Sequence, residues 1–160
     1  MRKLIIAASL AFSLLGTNAV ANPQIDCVDF YNDSDYQRAL EPCTIMAEQG
    51  FTIFQYILGQ MYRQGWGVAQ NYTEAVRWYR AAAEQGDAVA QHNLGFMYRE
   101  GLGVPQNFVK AHMWFNVSAS NGGERASENR NLLAKHMTPQ QIAEAQALAV
   151  QCMNSNYKGC

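Results

Sequence analysis

A segment of 36 residues occurs twice in succession in this chain of 160 residues. Residues 51–86 align with residues 87–122 without a gap. The positions that carry the same residue in both copies include Leu58/Leu94, Gly59/Gly95, Met61/Met97, Tyr62/Tyr98, Gly65/Gly101, Asn71/Asn107, Trp78/Trp114 and Gly86/Gly122. Self-similarity at a fixed period is the signature of stacked repeat architectures. The repeat therefore predicts an array of similar units instead of a domain with one central core.

Each copy of the repeat is predicted to form two helices. Apolar residues recur at helical spacing between Phe54 and Met61, and again between Ala75 and Ala82. Gly65 is expected to end the first helix in the left-handed conformation, and the side chain of Asn71 to cap the second. The same markers return in the second copy, so the chain is predicted to be all-α.

Both ends of the array depart from the repeat. The sequence Ala-Glu-Gln-Gly at residues 47–50 also closes the first full unit, so residues 24–50 are predicted to form a partial N-terminal unit. Residues 123–153 keep helical character and include Thr138-Pro139-Gln140-Gln141, the pattern of a capping box. Terminal units need a polar outer face. Residues 22–160 are thus predicted to be one repeat domain that ends in capping helices.

The repeated segments LGQMYRQGWGVAQNYTEAVRWYRAAAEQG and LGFMYREGLGVPQNFVKAHMWFNVSASNG resemble the Sel-1-like repeat family, a relative of the tetratricopeptide repeats. With the half unit before them they cover roughly residues 35–122. The resemblance implies a right-handed superhelix of antiparallel helix pairs, here with three to four units. It also implies an α-solenoid that is used for protein–protein contacts.

The first 21 residues have the layout of a bacterial signal peptide. Arg2 and Lys3 precede an apolar run from Leu4 to Leu15, and Ala19-Val20-Ala21 supplies small residues for cleavage after Ala21. The run is too short to span a bilayer. A periplasmic or secreted protein without membrane insertion after cleavage is expected.

The charge balance gives no support for nucleic-acid binding, which usually needs a basic patch. The chain has 12 basic and 13 acidic side chains. Arg2 and Lys3 lie in the predicted signal peptide, so the mature chain keeps 10 basic side chains against 13 acidic ones, a net charge of -3.

The four cysteines allow three disulfide connectivities. Cys27 and Cys43 flank a turn signal in residues 32–35, and in an antiparallel hairpin they would face one another. Cys152 and Cys160 are separated by a short polar segment that could fold back. The pairs 27–43 and 152–160 are therefore favoured, and disulfides persist outside the cytoplasm.

No C-x-x-C motif occurs, and the three histidines lack ligand spacing. Neither a metal site nor a cofactor is expected.

Catalytic motifs are almost absent, and the chain is predicted not to be an enzyme. The one S-x-x-K motif, Ser155 to Lys158, lies between two cysteines near the C-terminus. Some cysteine-rich members of the resembled family have been linked to β-lactam binding, so a β-lactam-binding or cell-wall-processing enzyme stays an alternative. A structural subunit of an envelope complex is a second alternative.

The candidate binding surface lies on the first helix of each repeat, at positions opposite the apolar stripe. These positions can line the concave face of the superhelix and bind a protein or peptide, because aromatic residues and arginines dominate interface hot spots. The candidate residues are Tyr56, Gln60, Arg63, His92, Phe96 and Arg99. In the alternative interpretation, this face is simply solvated and the third unit covers Phe96.

Overall fold

The computed structural model describes residues 22–160, which form eight α-helices and no strand. The predicted signal peptide, residues 1–21, lies outside the described residues. The helices are α1 (Pro23–Asn32), α2 (Tyr36–Glu48), α3 (Thr52–Gln64), α4 (Tyr72–Ala83), α5 (Ala88–Glu100), α6 (Phe108–Ser120), α7 (Ala126–Ala134) and α8 (Pro139–Asn154). From α1 to α7 each helix packs on its neighbours in sequence, whereas α8 packs on α6. The predicted all-α array of helix pairs is confirmed.

The helix ends lie where the sequence placed them. Gly65 ends α3 in the left-handed conformation, with φ 76°, and its N–H donates to the carbonyl of Met61. The side chain of Asn71 caps α4 by accepting a hydrogen bond from the Glu74 N–H at 3.1 Å. Thr138 forms the predicted capping box at the start of α8. Local signals therefore define the unit boundaries.

Glycines in the first helix of each repeat lie against aromatic rings of the second helix. A Cβ atom built on Gly59 would lie 2.5 Å from the ring of Tyr79, and one on Gly95 would lie 2.8 Å from the ring of Phe115. Glycine inside a helix costs about 1 kcal/mol relative to alanine. The close approach of the two helices compensates for that cost, because it buries Tyr79 and Phe115 completely.

Glycines in the turn of each repeat contact the backbone of the preceding unit. Gly67 has φ +67°, and a Cβ atom on it would overlap the carbonyl oxygen of Tyr36, the first residue of α2. Gly103 has φ +70° and makes the same approach to Tyr72, the first residue of α4. Successive units are thus joined by backbone contacts that leave no room for a side chain.

Two buried glutamines repeat the same hydrogen bond in successive units. The Gln55 Nε2 atom donates to the carbonyl oxygen of Ala47 at 3.2 Å, and the Gln91 Nε2 atom donates to that of Ala83 at 3.0 Å. Both carbonyls belong to the last turn of the preceding helix, where each also accepts a hydrogen bond from a backbone N–H, that of Gly50 or Gly86. Each glutamine therefore adds a second hydrogen bond to a helix end that is packed against the next unit.

The side-chain oxygen of each of these glutamines in turn accepts a hydrogen bond from the side chain of a residue 30 positions further along the chain. Gln85 Nε2 donates to Gln55 Oε1 at 2.7 Å, and Asn121 Nδ2 donates to Gln91 Oε1 at 2.9 Å. The hydroxyl of Tyr157 donates to Asn121 Oδ1 at 2.9 Å. The series of side-chain hydrogen bonds therefore ends on the C-terminal segment.

Two disulfides close the ends of the array with the pairing that the sequence favoured. Cys27–Cys43 joins α1 to α2 with a Cα–Cα distance of 4.8 Å, and Cys152–Cys160 joins the end of α8 to the C-terminal segment at 5.6 Å. A disulfide that closes a loop of this order stabilises a protein by about 3 kcal/mol in the chain-entropy picture. No helix in the range 22–160 combines the length and apolar character that a membrane span requires.

We predict that Gly67→Ala lowers the free energy of unfolding by about 3 kcal/mol or more. The new Cβ both disfavours the left-handed conformation and forces the turn away from the Tyr36 carbonyl. Gly50→Ala is the matched control, because Gly50 has φ +91° but open space around its Cα. Its loss should stay at about 1–2 kcal/mol. Chemical denaturation measures both variants, and equal losses would contradict the role of the inter-unit contact.

A histidine is buried in α6 at a position that is apolar in the first repeat. His112 aligns with Val76, and its side chain is 2% exposed. Its Nδ1 atom is buried without a hydrogen-bond partner among residues 22–160. Burial and, to a smaller degree, the charge of Arg130 lower the pKa of His112 below its ordinary value of 6.5. The folded protein therefore holds this imidazole neutral.

We predict that acidification destabilises the protein through His112. Because its pKa is lower in the folded than in the unfolded state, the stability it contributes is present above pH 6.5 and is lost as the pH falls below that value. His112→Val should make the difference in unfolding free energy between about pH 5 and about pH 8 smaller than in the wild type. Urea denaturation measures this difference. His136→Val, at an exposed position, is the control and should behave as wild type.

Candidate functional site

A cavity of about 570 Å³ opens between α3, α5 and the start of α7. We refer to this surface as the central groove. It is lined by Arg63, His92, Asn93, Phe96, Arg99, Arg125, Glu128 and Asn129. Four of the six residues predicted from the sequence are among them, supplied by the first helices of two successive units. The structure therefore brings Arg63, His92, Phe96 and Arg99 to one surface.

The other two predicted residues do not line this cavity. Gln60 donates a side-chain hydrogen bond to the hydroxyl of Tyr56. The ring of Tyr56 lies 6.2 Å from that of Tyr79 and packs against the apolar core. Tyr56 therefore packs against the core and does not line this cavity. The reason is that α3 packs against both α2 and α4. Less of its surface is therefore exposed than a single buried apolar stripe would predict.

Phe96 lines the groove and is half-buried, with part of its ring packed against the apolar core. The Arg99 guanidinium lies over its ring, 4.9 Å from the centroid, while Arg99 Nε contacts Glu100 Oε1 at 2.6 Å. A cation over an aromatic face is stabilising by about 0.5–1 kcal/mol at an exposed site. Phe96 still lines the cavity, so the third unit narrows access to the ring without covering it completely.

His92 connects the wall formed by α5 to the wall formed by α7. Its Nε2 atom lies 2.6 Å from the Asn129 Nδ2 atom, and its ring packs on Phe115 with centroids 5.4 Å apart. Burial, followed by the charges of Arg99 and Arg125, lowers the pKa of His92. The imidazole is therefore neutral at pH 7 and accepts the amide N–H, which holds the two helices in register.

The central groove is positively charged although the chain as a whole is not. Three guanidinium groups line it, from Arg63, Arg99 and Arg125, against the single carboxylate of Glu128. The Nε atom of Arg63 is buried without a hydrogen-bond partner in the described part of the chain. Such a group is costly unless a partner satisfies it.

A second cavity of about 480 Å³ continues the groove towards the start of α5. It shares His92 and Arg125 with the first cavity and adds Ala88 and Val89 to the lining. Val89 is 51% exposed. The combined surface offers an arginine-rich part next to a small apolar part.

Sequence reasoning missed the residues that α7 contributes. Arg125, Glu128 and Asn129 lie in the segment where the repeat decays, and only two identities in α7, Ala126 with Ala90 and Asn129 with Asn93, could have indicated the third wall. Asn129 follows Asn93 by 36 residues, and both line the groove. The 36-residue spacing thus still places equivalent residues on the same surface, although most residue types in this segment have changed.

The Ser-x-x-Lys motif does not form a catalytic arrangement. The hydroxyl of Ser155 is directed to backbone carbonyl oxygens, at 2.9 Å from that of Cys152 and 3.0 Å from that of Lys158. This is the geometry of a helix end, since Ser155 caps α8. Within residues 22–160, no cluster of histidine, cysteine and acidic side chains is arranged to hold a metal ion.

We predict that Arg125→Gln raises the pKa of His92. The substitution removes one of the two positive charges that disfavour the imidazolium, while burial and Arg99 continue to act. A titration of the His92 ring signals by NMR measures the change. Arg77→Gln, on the exposed side of α4, is the control, and an equal shift in both variants would contradict the assignment.

Comparison with known proteins gave matches to one repeat family. The Sel1 repeat family profile matches residues 53–87 and 88–123. No curated protein matches the chain. A protective antigen of uropathogenic Escherichia coli strains, which displays an SLR fold, is 29% identical with a TM-score of 0.78. The match covers 86% of this chain and 32% of the antigen, so the chain spans about a third of its length. A Sel1 repeat protein from Oxalobacter formigenes is 27% identical with a TM-score of 0.66, over 90% of this chain and 70% of that protein.

Proposed function

Because the chain belongs to the Sel1 repeat family, whose members are typically protein-interaction modules, we propose that it binds a segment of a partner protein in the central groove. We propose further that it does so in the bacterial cell envelope, as a periplasmic or secreted protein. The binding partner is a protein or peptide, and the chain itself carries out no reaction.

One observation carries the proposal: the first helices of successive units converge on one cavity around Phe96. The cavity is large enough for several side chains of a partner, and its walls combine an aromatic ring with arginines. These residue types supply most of the binding energy at protein interfaces. Rigid helices on three sides hold these side chains in place, which reduces the entropy lost on binding.

The location in the envelope is supported by the disulfides and by the sequence of residues 1–21. Cys27–Cys43 and Cys152–Cys160 use all four cysteines. Structural disulfides persist in the periplasm and outside the cell, and are rare in the cytoplasm. The segment before Asn22 has the charge and apolar pattern of a signal peptide.

We predict that a photo-crosslinking amino acid at position 93 forms a covalent adduct with one protein in living cells. Asn93 lines the groove and is half-buried, so the probe would lie beside a bound segment. The adduct should be recovered in the periplasmic or secreted fraction, attached to a chain that begins at Asn22. Mass spectrometry identifies both the partner and the mature N-terminus.

Two further variants make this experiment specific. Phe96→Ala should weaken the adduct by at least about 30-fold, as expected for a hot-spot residue. The same probe at Arg77, outside the groove, should give no adduct with that protein. A structural subunit would instead give adducts from both positions that do not depend on Phe96. Recovery of the chain only in the cytoplasm would contradict the envelope location.

A further inference from the structure

We infer that the segment bound in the central groove is acidic, with its carboxylates placed among Arg63, Arg99 and Arg125. This inference rests on the proposed function and specifies the chemistry of the partner. Its basis is the charge of the groove and the incomplete pairing of the guanidinium groups that line it.

Two of the three guanidinium groups of the groove, those of Arg63 and Arg125, are in no ion pair among residues 22–160. Among residues 22–160, Arg99 is the only one of the three in an ion pair, and that pair uses its Nε atom with Glu100. An arginine has five N–H donors. Arg63 is half-buried and its Nε atom is inaccessible to a ligand, whereas Arg125 is exposed at the start of α7. A carboxylate in the groove would therefore meet several donors that have no partner within the described chain.

The geometry of these arginines suits the recognition of carboxylates. The Arg99 guanidinium lies over the ring of Phe96, 4.9 Å from its centroid, and only its Nε atom is paired with Glu100. A planar guanidinium matches a carboxylate with two parallel hydrogen bonds. Arg125 precedes the first turn of α7, so the positive end of that helix adds to its charge.

The surroundings of the groove favour a short acidic peptide over a polyanion. Glu100 and Glu128 flank the arginines, and Glu124 lines the adjoining cavity. These carboxylates repel a long chain of negative charges such as a nucleic acid, whereas one or two carboxylates fit between them. The cavity at Val89 then accepts an apolar side chain next to the acidic part.

The test uses a random peptide library displayed against the full-length mature protein. Selected peptides should be enriched in Asp and Glu. Replacement of those residues by Asn and Gln should weaken binding by about tenfold or more, because hydrogen bonds to charged groups are lost. Arg125→Gln should have a similar effect, and Arg77→Gln should have none. Peptides synthesised with free and amidated C-termini distinguish a terminal from a side-chain carboxylate.

The pKa of His92 provides a second measurement. It would not change on peptide binding if Arg125 had only a structural role. The charged groups that line the two cavities together with His92 are Arg63 from α3, Arg99 on α5, Glu124 from the turn before α7, Arg125 at the start of α7 and Glu128 on α7. A carboxylate bound among the arginines opposes their charge, so the pKa of His92 should rise on addition of an acidic peptide. The Gln-substituted peptide should leave it unchanged.

The possible outcomes distinguish failure of the acidic-segment inference from failure of the proposed function. Peptides that require Phe96 but carry no acidic residue would overturn the inference and leave the proposed function intact. Binding that is unaffected by Phe96→Ala would overturn both. Competition by polyphosphate at concentrations similar to those of the peptide would show that the groove accepts any polyanion, which also overturns the inference.

Discussion

The structure depends on contacts between backbones that only glycine allows. Gly67 and Gly103 each lie against the first peptide group of a helix in the preceding unit, and both also need a positive φ. A side chain at either position would separate the units. Since the contact of Gly103 joins the two full units, it also helps to set the separation of α3 and α5. The width of the central groove therefore depends in part on a turn that does not line it.

Polar groups inside the array are satisfied by a pattern that repeats with the units. Gln55 and Gln91 bind the ends of preceding helices and accept hydrogen bonds from Gln85 and Asn121. A longer array would continue this pattern, whereas here Tyr157 ends it. A disulfide holds the segment that carries Tyr157 against α8. An array of so few units buries a modest core, and covalent closure of its ends offsets the missing neighbours.

Local sequence signals allowed the fold to be predicted closely, while the site needed information from neighbouring units. Gly65 and Asn71 specify helix ends through their own backbone preferences and side-chain hydrogen bonds, so their sequence positions suffice. The orientation of Tyr56 depends on which other helices pack around α3, and the helical period alone does not contain that information. The contribution of Arg125 depends on the way α7 follows α6. Both features depend on contacts between units, where the repeat determines the positions of residues but not their types.

The charge distribution explains how a chain with more acidic than basic side chains presents a basic groove. Arg63 and Arg99 occupy equivalent positions of two repeats, so stacking places two guanidinium groups on the same surface. Arg125 adds a third from α7. Burial lowers the pKa of His92, and the charges of Arg99 and Arg125 lower it further, so the imidazole reports the positive field of the groove. A carboxylate bound there, as we propose, would oppose that field. The stacking of equivalent positions therefore concentrates on one surface the positive charge that an acidic partner would meet.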